Sequence, residues 1–356
     1  MPTRNYKKGK IAPINLFFFC FVSRMIISLT YVQSVISTNM SSDIAFSLLI
    51  TAVLSVLFAL PALLAVRAHK NPLSDKYICV FYALYFIFVA TVNTMRFSYF
   101  ASSILNVHTP AVYFSLIIGA CAVYGASRKI EALSRLGSVI FALLVLSLVL
   151  ILACTAPDFS YLNFFPLFQK STASIFQDAL LLACNASEIP LYLCLAGKVN
   201  GKSGKPFVFG ILTAVLAIAA VFAMAVGVMG DYAYYQPFPV YTLAGLAKLG
   251  DSMRLDSMFT AVWIFCLFLK TAVFLYAAAH CLQRSALHTS KKRALPASAV
   301  ILGAFIIVGS VFYESFFSEY AKIMVCTLFA VSAVVLPVLF LIFRKKDLGE
   351  DLLEKF

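Results

Sequence analysis

The sequence predicts an all-α membrane protein of ten transmembrane helices, arranged as a five-plus-five inverted repeat, with the first helix of each half (helices 1 and 6) broken. Three observations carry this. The 356 residues are 62% hydrophobic and only 12% charged, with mean hydropathy +0.94. Soluble domains are about half apolar and a quarter charged, and no water-soluble fold could hide this much apolar surface. The apolar residues fall into ten runs, most of them near the ~20 residues that cross a bilayer as one helix. Finally, Lys and Arg alternate from side to side between the runs.

The runs cover about 11–35, 44–66, 77–100, 111–124, 136–154, 175–195, 206–229, 258–282, 297–312 and 321–343. The first follows a basic N-terminus and is too long for a signal peptide, so it reads as an uncleaved helix. It carries Ser23, Arg24, Ser28 and Thr30 in its middle. The second is unbroken and apolar. The third ends in a polar turn, with Thr91, Asn93 and Thr94 beside Arg96. The fourth and ninth are short, and their flanks extend them. The sixth holds Asp178 near its outer end and the run Asn185-Ala186-Ser187-Glu188-Ile189-Pro190 at mid-depth. Asn and Ser are poor helix formers. Pro190 lacks the amide that would bond to residue 186, so a freed Ala186 carbonyl would need a cation, a water or a ligand amine. The eighth run carries Lys270. No connecting segment is long enough for a separate soluble domain, so residues 1–356 read as a single polytopic membrane domain. Of two long external segments, 156–173 and 230–256, the second has Leu243, Leu246, Ala247 and Leu249 at helical spacing, which predicts a short amphipathic helix over the outer face.

The net charge of +13 would suit nucleic acid, but its distribution excludes that partner. The N-terminus, the C-terminus and four alternate loops hold 21 Lys and Arg, against 4 on the other side. The positive-inside rule then puts both termini in the cytoplasm. The nine cysteines form no CxxC pair, and the four histidines show no ligand spacing, so neither metal nor cofactor is expected. The basic loop at Lys198–Lys205 lacks the full phosphate-binding pattern.

Charges inside spans are costly and therefore pair, face water or serve function. Arg24, Glu188 and Lys270 each lie 12 or 13 residues from the start of their runs, or ~20 Å at helical rise, which puts all three in one layer near the midplane. Arg96 and Asp178 would form an outer-layer ion pair above it. An interrupted helix at matching places in two inverted halves points to a transporter-type binding site. The candidate ligand-binding residues are Ser23, Arg24, Ser28, Asn185, Ser187, Glu188, Lys270 and Thr271. A structural ion-pair network is the competing account of the same charges.

One stretch is more specific. Phe238-Pro239-Val240-Tyr241-Thr242-Leu243 is followed by Asp256-Ser257-Met258-Phe259, then Ala261-Val262-Trp263-Ile264-Phe265, Leu269-Lys270-Thr271 and Leu275-Tyr276-Ala277-Ala278. This resembles the spore germination permease family, the integral membrane B subunits of nutrient germinant receptors, within the amino acid–polyamine–organocation superfamily. Ser187-Glu188-Ile189, Arg135-Leu136-Gly137 and the 163–166 stretch are similar to the family's as well. The first span departs from it, with Met25, Ile26, Ile27 and Ser28 where the family has a Gly-rich break, and Ser187 replaces a Gly. The resemblance implies a LeuT/APC-like fold and no enzymatic chemistry. It implies a small nutrient, an amino acid first, bound in a central membrane site, and location in the spore inner membrane. The implied partners are a receptor A subunit and a lipoprotein C subunit, to which nutrient binding would be signalled. A proton-coupled amino acid transporter and a non-binding structural subunit are the alternatives.

Overall fold

The computed structural model describes residues 10–35, 41–249, 253–285, 287, 290–311 and 321–343, with backbone alone for 27–35, 249, 253–254, 291 and 321. In lipid a chain must satisfy its own main-chain groups, and helix does so within one segment. The apolar runs are accordingly helical: α1 Pro13–Val35, α2 Ile44–Arg67, α3 Lys76–Phe100, α4 Ala111–Ser127, α5 Ile130–Thr155, α6 Thr172–Cys184, α7 Glu188–Leu195 and α8 Gly204–Met229. Two short helices follow, α9 Tyr232–Tyr235 and α10 Pro239–Leu246, then α11 Asp256–Arg284, α12 Lys291–Val311, and a last span of α13 Ala321–Phe329, a π turn Ala330–Val335 and α14 Leu336–Phe343. Counting α6 and α7 as one, eight of these segments are long and apolar enough to cross a membrane among the described residues; Pro13–Ile26 and Ala111–Ser127 are shorter apolar helices.

The flanks extend the fourth run to Ser127 and the ninth back to Lys291, as expected of short runs. Other boundaries also move outward, the fifth span starting at Ile130 and the sixth at Thr172, because the amphipathic turns flanking an apolar run remain helical. A larger difference lies in the first span. It is one continuous helix from Pro13 to Val35, so the expected break of helix 1 near Ser23–Ser28 is absent. The cause is in the sequence: no Gly lies in the run and Pro13 occupies its first position, where a missing amide costs nothing. The sixth span does break, between Cys184 and Glu188. The external helix predicted to reach Leu249 stops at Leu246. Leu249 lies instead in a two-residue strand, Lys248–Leu249, antiparallel to Met253–Arg254.

The spans sort by depth of burial. The sixth is 89% buried, α3 78% and α11 72%, whereas α12 and the last span are 22% buried. Each of these three central spans carries buried charge, Arg96 on α3, Asp178 and Glu188 on the sixth and Lys270 on α11, and α1 adds Arg24. Around them α1 packs on α8 and α5, α2 packs on α6 and α8, and α4 and α12 pack on α3 and α11. The outside is ringed by exposed apolar side chains such as Val53, Leu57, Val139, Leu146, Val300 and Val308, as a lipid-solvated bundle requires. Above the centre, Phe238 and Trp263 close on Phe100 in edge-to-face contacts, with centroids 5.0 and 4.4 Å away.

The α1–α8 contact depends on Gly210. A Cβ there would lie 2.9 Å from the Phe17 carbonyl oxygen and 2.9 Å from Cys20 Cβ, so the two helices meet through a missing side chain, as small residues allow in membranes. Gly210→Val is expected to destabilise the protein by about 1–3 kcal/mol through overpacking. Thermal unfolding in detergent measures this, and an unchanged midpoint would mean that α1 shifts freely.

Candidate functional site

The break in the sixth span follows from its side chains. Asn185 Nδ2 donates to the Leu181 carbonyl at 3.0 Å, a local bond that competes with helix continuation. The main chain then tightens: Asn185 N donates to Leu182 O, Ala186 N to Ala183 O and Ser187 N to Asn185 O. Helix resumes at Glu188, which places Pro190 in the first turn of α7, where amides have no intrahelical partner. The Ala186 carbonyl, expected to need a cation, water or ligand, instead accepts from Ile189 N at 2.9 Å.

The midplane layer assembles around Glu188. Lys270 Nζ on α11 lies 3.0 Å from Glu188 Oε1, and both side chains are fully buried. The same ammonium donates to the Ser23 main-chain oxygen at 2.9 Å, and the Ser23 hydroxyl donates to Glu188 Oε1 at 2.6 Å. One carboxylate oxygen thus joins the first, sixth and eighth spans. Burying two ions is costly, and only close geometry with further hydrogen bonds offsets it. Arg24, 1% exposed, turns to the other side of the break and donates through Nη2 to the Leu182 carbonyl at 2.9 Å. A cation at the last carbonyls of α6 complements that helix's negative end. Its other guanidinium nitrogens, Nε and Nη1, have no hydrogen-bond partner among the described residues, and the same holds for Glu188 Oε2, Ser187 Oγ and Thr271 Oγ1. Leaving such atoms unpaired costs about 1–3 kcal/mol each, so the layer is rich in polar capacity that the fold itself does not use. The Ser28 side chain lies outside the described residues.

Outside this layer, the Asp178 carboxylate meets Lys170 Nζ at 2.8 Å, and Arg96 Nη1 donates to Asn185 Oδ1 at 3.3 Å. Lys170 comes from the segment between α5 and α6. That segment is fastened from below, since the Asp43 carboxylate accepts from Phe168 N at 2.8 Å and Lys170 N at 2.9 Å. Neither Lys170 nor Asp43 was legible as a partner, because both contacts join residues whose proximity only the folded loop creates. A cavity lies beside the break, between α3, the sixth span and the last span. Asn93, Arg96, Asn185 and Ser187 supply its polar wall, and Phe88, Val92 and Val325 part of its apolar wall. Asn185 and Ser187 were expected at a site; Val325 carries no sequence signal, being one apolar residue in an apolar span.

A family model described as spore germination protein matches residues 69–317, well over half of the chain. The chain belongs to the spore germination protein family. The stretch that carries the sequence resemblance, from Phe238 to Ala278, lies inside the matched region. No curated protein sequence matches the chain. Among solved structures, a Na+-coupled sialic acid symporter in a substrate-bound outward-open state is similar, with TM-score 0.59 and 11% identity over 94% of this chain and 78% of that one. At that identity the likeness shows the fold alone: this member of the spore germination family has the LeuT-like fold of a transporter. It is a multi-pass integral membrane protein of a permease family and not an enzyme.

Proposed function

We propose that this chain is the transporter-like subunit of a spore nutrient germinant receptor, which binds a small nutrient at the centre of the membrane and passes a conformational change to partner subunits. The observation that carries this is the single Glu188 oxygen shared by Ser23 and Lys270 at the break of the sixth span. A contact that joins three spans at one atom gives a ligand at the break a direct hold on their relative positions. The ligand site comprises Arg24, Ser28, Asn185, Ser187 and Thr271 around that contact. Arg96 and Asp178 belong to one outer electrostatic layer. The ten spans act as one membrane domain of two inverted halves, with both termini cytoplasmic and location in the spore inner membrane. The partners are the receptor A subunit and the lipoprotein C subunit.

Spores lacking this chain, tested across a nutrient panel, should lose the response to one nutrient class and regain it on complementation. Loss of no response would sink the proposal. A second role, proton-coupled amino acid transport, draws support from the buried Glu188–Lys270 pair and the symporter-like fold. Accumulation of labelled amino acid in proteoliposomes would select it, whereas binding without net flux selects the receptor.

A further inference from the structure

We propose that Cys184 and Cys326 form a redox-sensitive pair, which a peroxide converts to a disulfide that ties the end of α6 to the last span and holds the break in one arrangement. Formation of the bond does not depend on what the chain binds. Only its effect on signalling rests on the receptor role proposed above.

The two thiols share a hydrogen bond where α13 packs on α6. Cys184 is the last residue of α6, immediately before the break, and Cys326 lies within α13. Side chains in such contact already point at one another, which is the orientation a disulfide needs. Cys194 on α7 and Cys281 on α11 also share a hydrogen bond, and access separates the two pairs. Cys194 and Cys281 are both buried, whereas Cys326 is half-buried. Cys184 also lines the cavity beside the break, as does Val325 next to Cys326. A small uncharged oxidant entering that cavity meets one sulfur with a second beside it. Access together with a neighbouring thiol that resolves the first product marks oxidation-sensitive cysteines.

Hydrogen peroxide balances the chemistry. One sulfur attacks a peroxide oxygen, so an S–O bond forms, the O–O bond breaks, and the thiol proton leaves with the departing oxygen as water. The second sulfur attacks the sulfenic acid, so the S–S bond forms, the S–O bond breaks, and its proton leaves in a second water. Two electrons pass from the sulfurs to the peroxide. A dithiol reverses the bond by exchange. The position gives the bond its effect. The sixth span is 89% buried and the last span 22%, so the link joins a central span, at its break, to a peripheral one. Any rearrangement at the break must then carry the last span with it.

The test uses the purified full chain in detergent, treated with hydrogen peroxide, alkylated and mapped by mass spectrometry. Alkylatable thiols should fall by two from the nine of the reduced chain. The linked peptides should contain Cys184 and Cys326, and dithiothreitol should restore both. In Cys326→Ala, Cys184 should stay alkylatable under the same treatment. A disulfide between Cys194 and Cys281 in place of this one, or no linked peptide at all, would overturn the proposal. So would a Cys326→Ala protein that still loses Cys184 to a disulfide. In spores, the nutrient response of the wild type should fall in step with the linked fraction and return with dithiothreitol, while that of Cys326→Ala spores should resist peroxide. A mapped bond with an undiminished response would overturn the switch and leave the receptor reading intact. A chain whose deletion changes no nutrient response fails as a receptor, and the thiol mapping still decides the bond.

Discussion

Glu188→Gln is expected to leave near-normal amounts of protein in the membrane and to reduce the nutrient response strongly. Glutamine keeps an acceptor oxygen for the Ser23 hydroxyl and for Lys270 Nζ, both of which now meet Glu188 Oε1, so the packing of three spans survives. What it loses is the charge, and a hydrogen bond to a charged group is worth roughly 1.5–3 kcal/mol. That is enough to change the balance between two conformations separated by a few kcal/mol. Glu188→Ala goes further. It leaves a fully buried ammonium with the Ser23 carbonyl as its one remaining contact in this cluster, at a cost of about 3–5 kcal/mol, and should lower abundance as well. Abundance in the spore membrane is measured beside germination rate for both variants. Normal response in Glu188→Gln would exclude a role for the charge, and a response falling only in proportion to abundance would leave it a structural one.

The central layer was legible from spacing because helical rise is fixed. Counting residues from the ends of apolar runs put Arg24, Glu188 and Lys270 at one depth, and the structure joins Glu188 to Lys270 at 3.0 Å. The break at Asn185–Ser187 was legible because its causes are local: an amide that folds back on its own turn and a proline in the next. Direction around a helix was harder to read. Nothing in the residue count says that Arg24 turns to the Leu182 carbonyl rather than to Glu188. The expectation that the first span would break came from symmetry between halves. It failed because symmetry supplies no local cause, and a run without Gly or internal Pro stays helical. Lys170 and Asp43, which fasten the segment before α6, lie outside the spans, where neither depth nor period constrains partners.

The same geometry sets the second expected result, which separates stability from signalling. Lys270→Met alone should destabilise by about 3–5 kcal/mol, because it strips Glu188 of the buried partner that offsets its desolvation. Glu188→Met combined with Lys270→Met should recover most or all of that loss, since replacing both members of a buried pair by apolar groups of similar size is often neutral or better. The site favours such recovery: both side chains are fully buried, Ile189, Leu269 and Phe274 beside them are buried apolar residues, and methionine fills irregular space well. The double variant should therefore unfold within about 1 kcal/mol of the wild type, and residues in direct contact are where single-variant costs fail to add. It should nevertheless give no nutrient response, because the bond that ties the break to the first and eighth spans is gone. Thermal unfolding and germination are read on the same four proteins: wild type, each single variant and the double. A double variant that is stable and fully responsive would reduce the ion pair to a means of positioning helices. One that stays as unstable as the singles would mean that the polar layer specifies the fold itself, and only recovery of stability without recovery of response fits a pair retained for signalling.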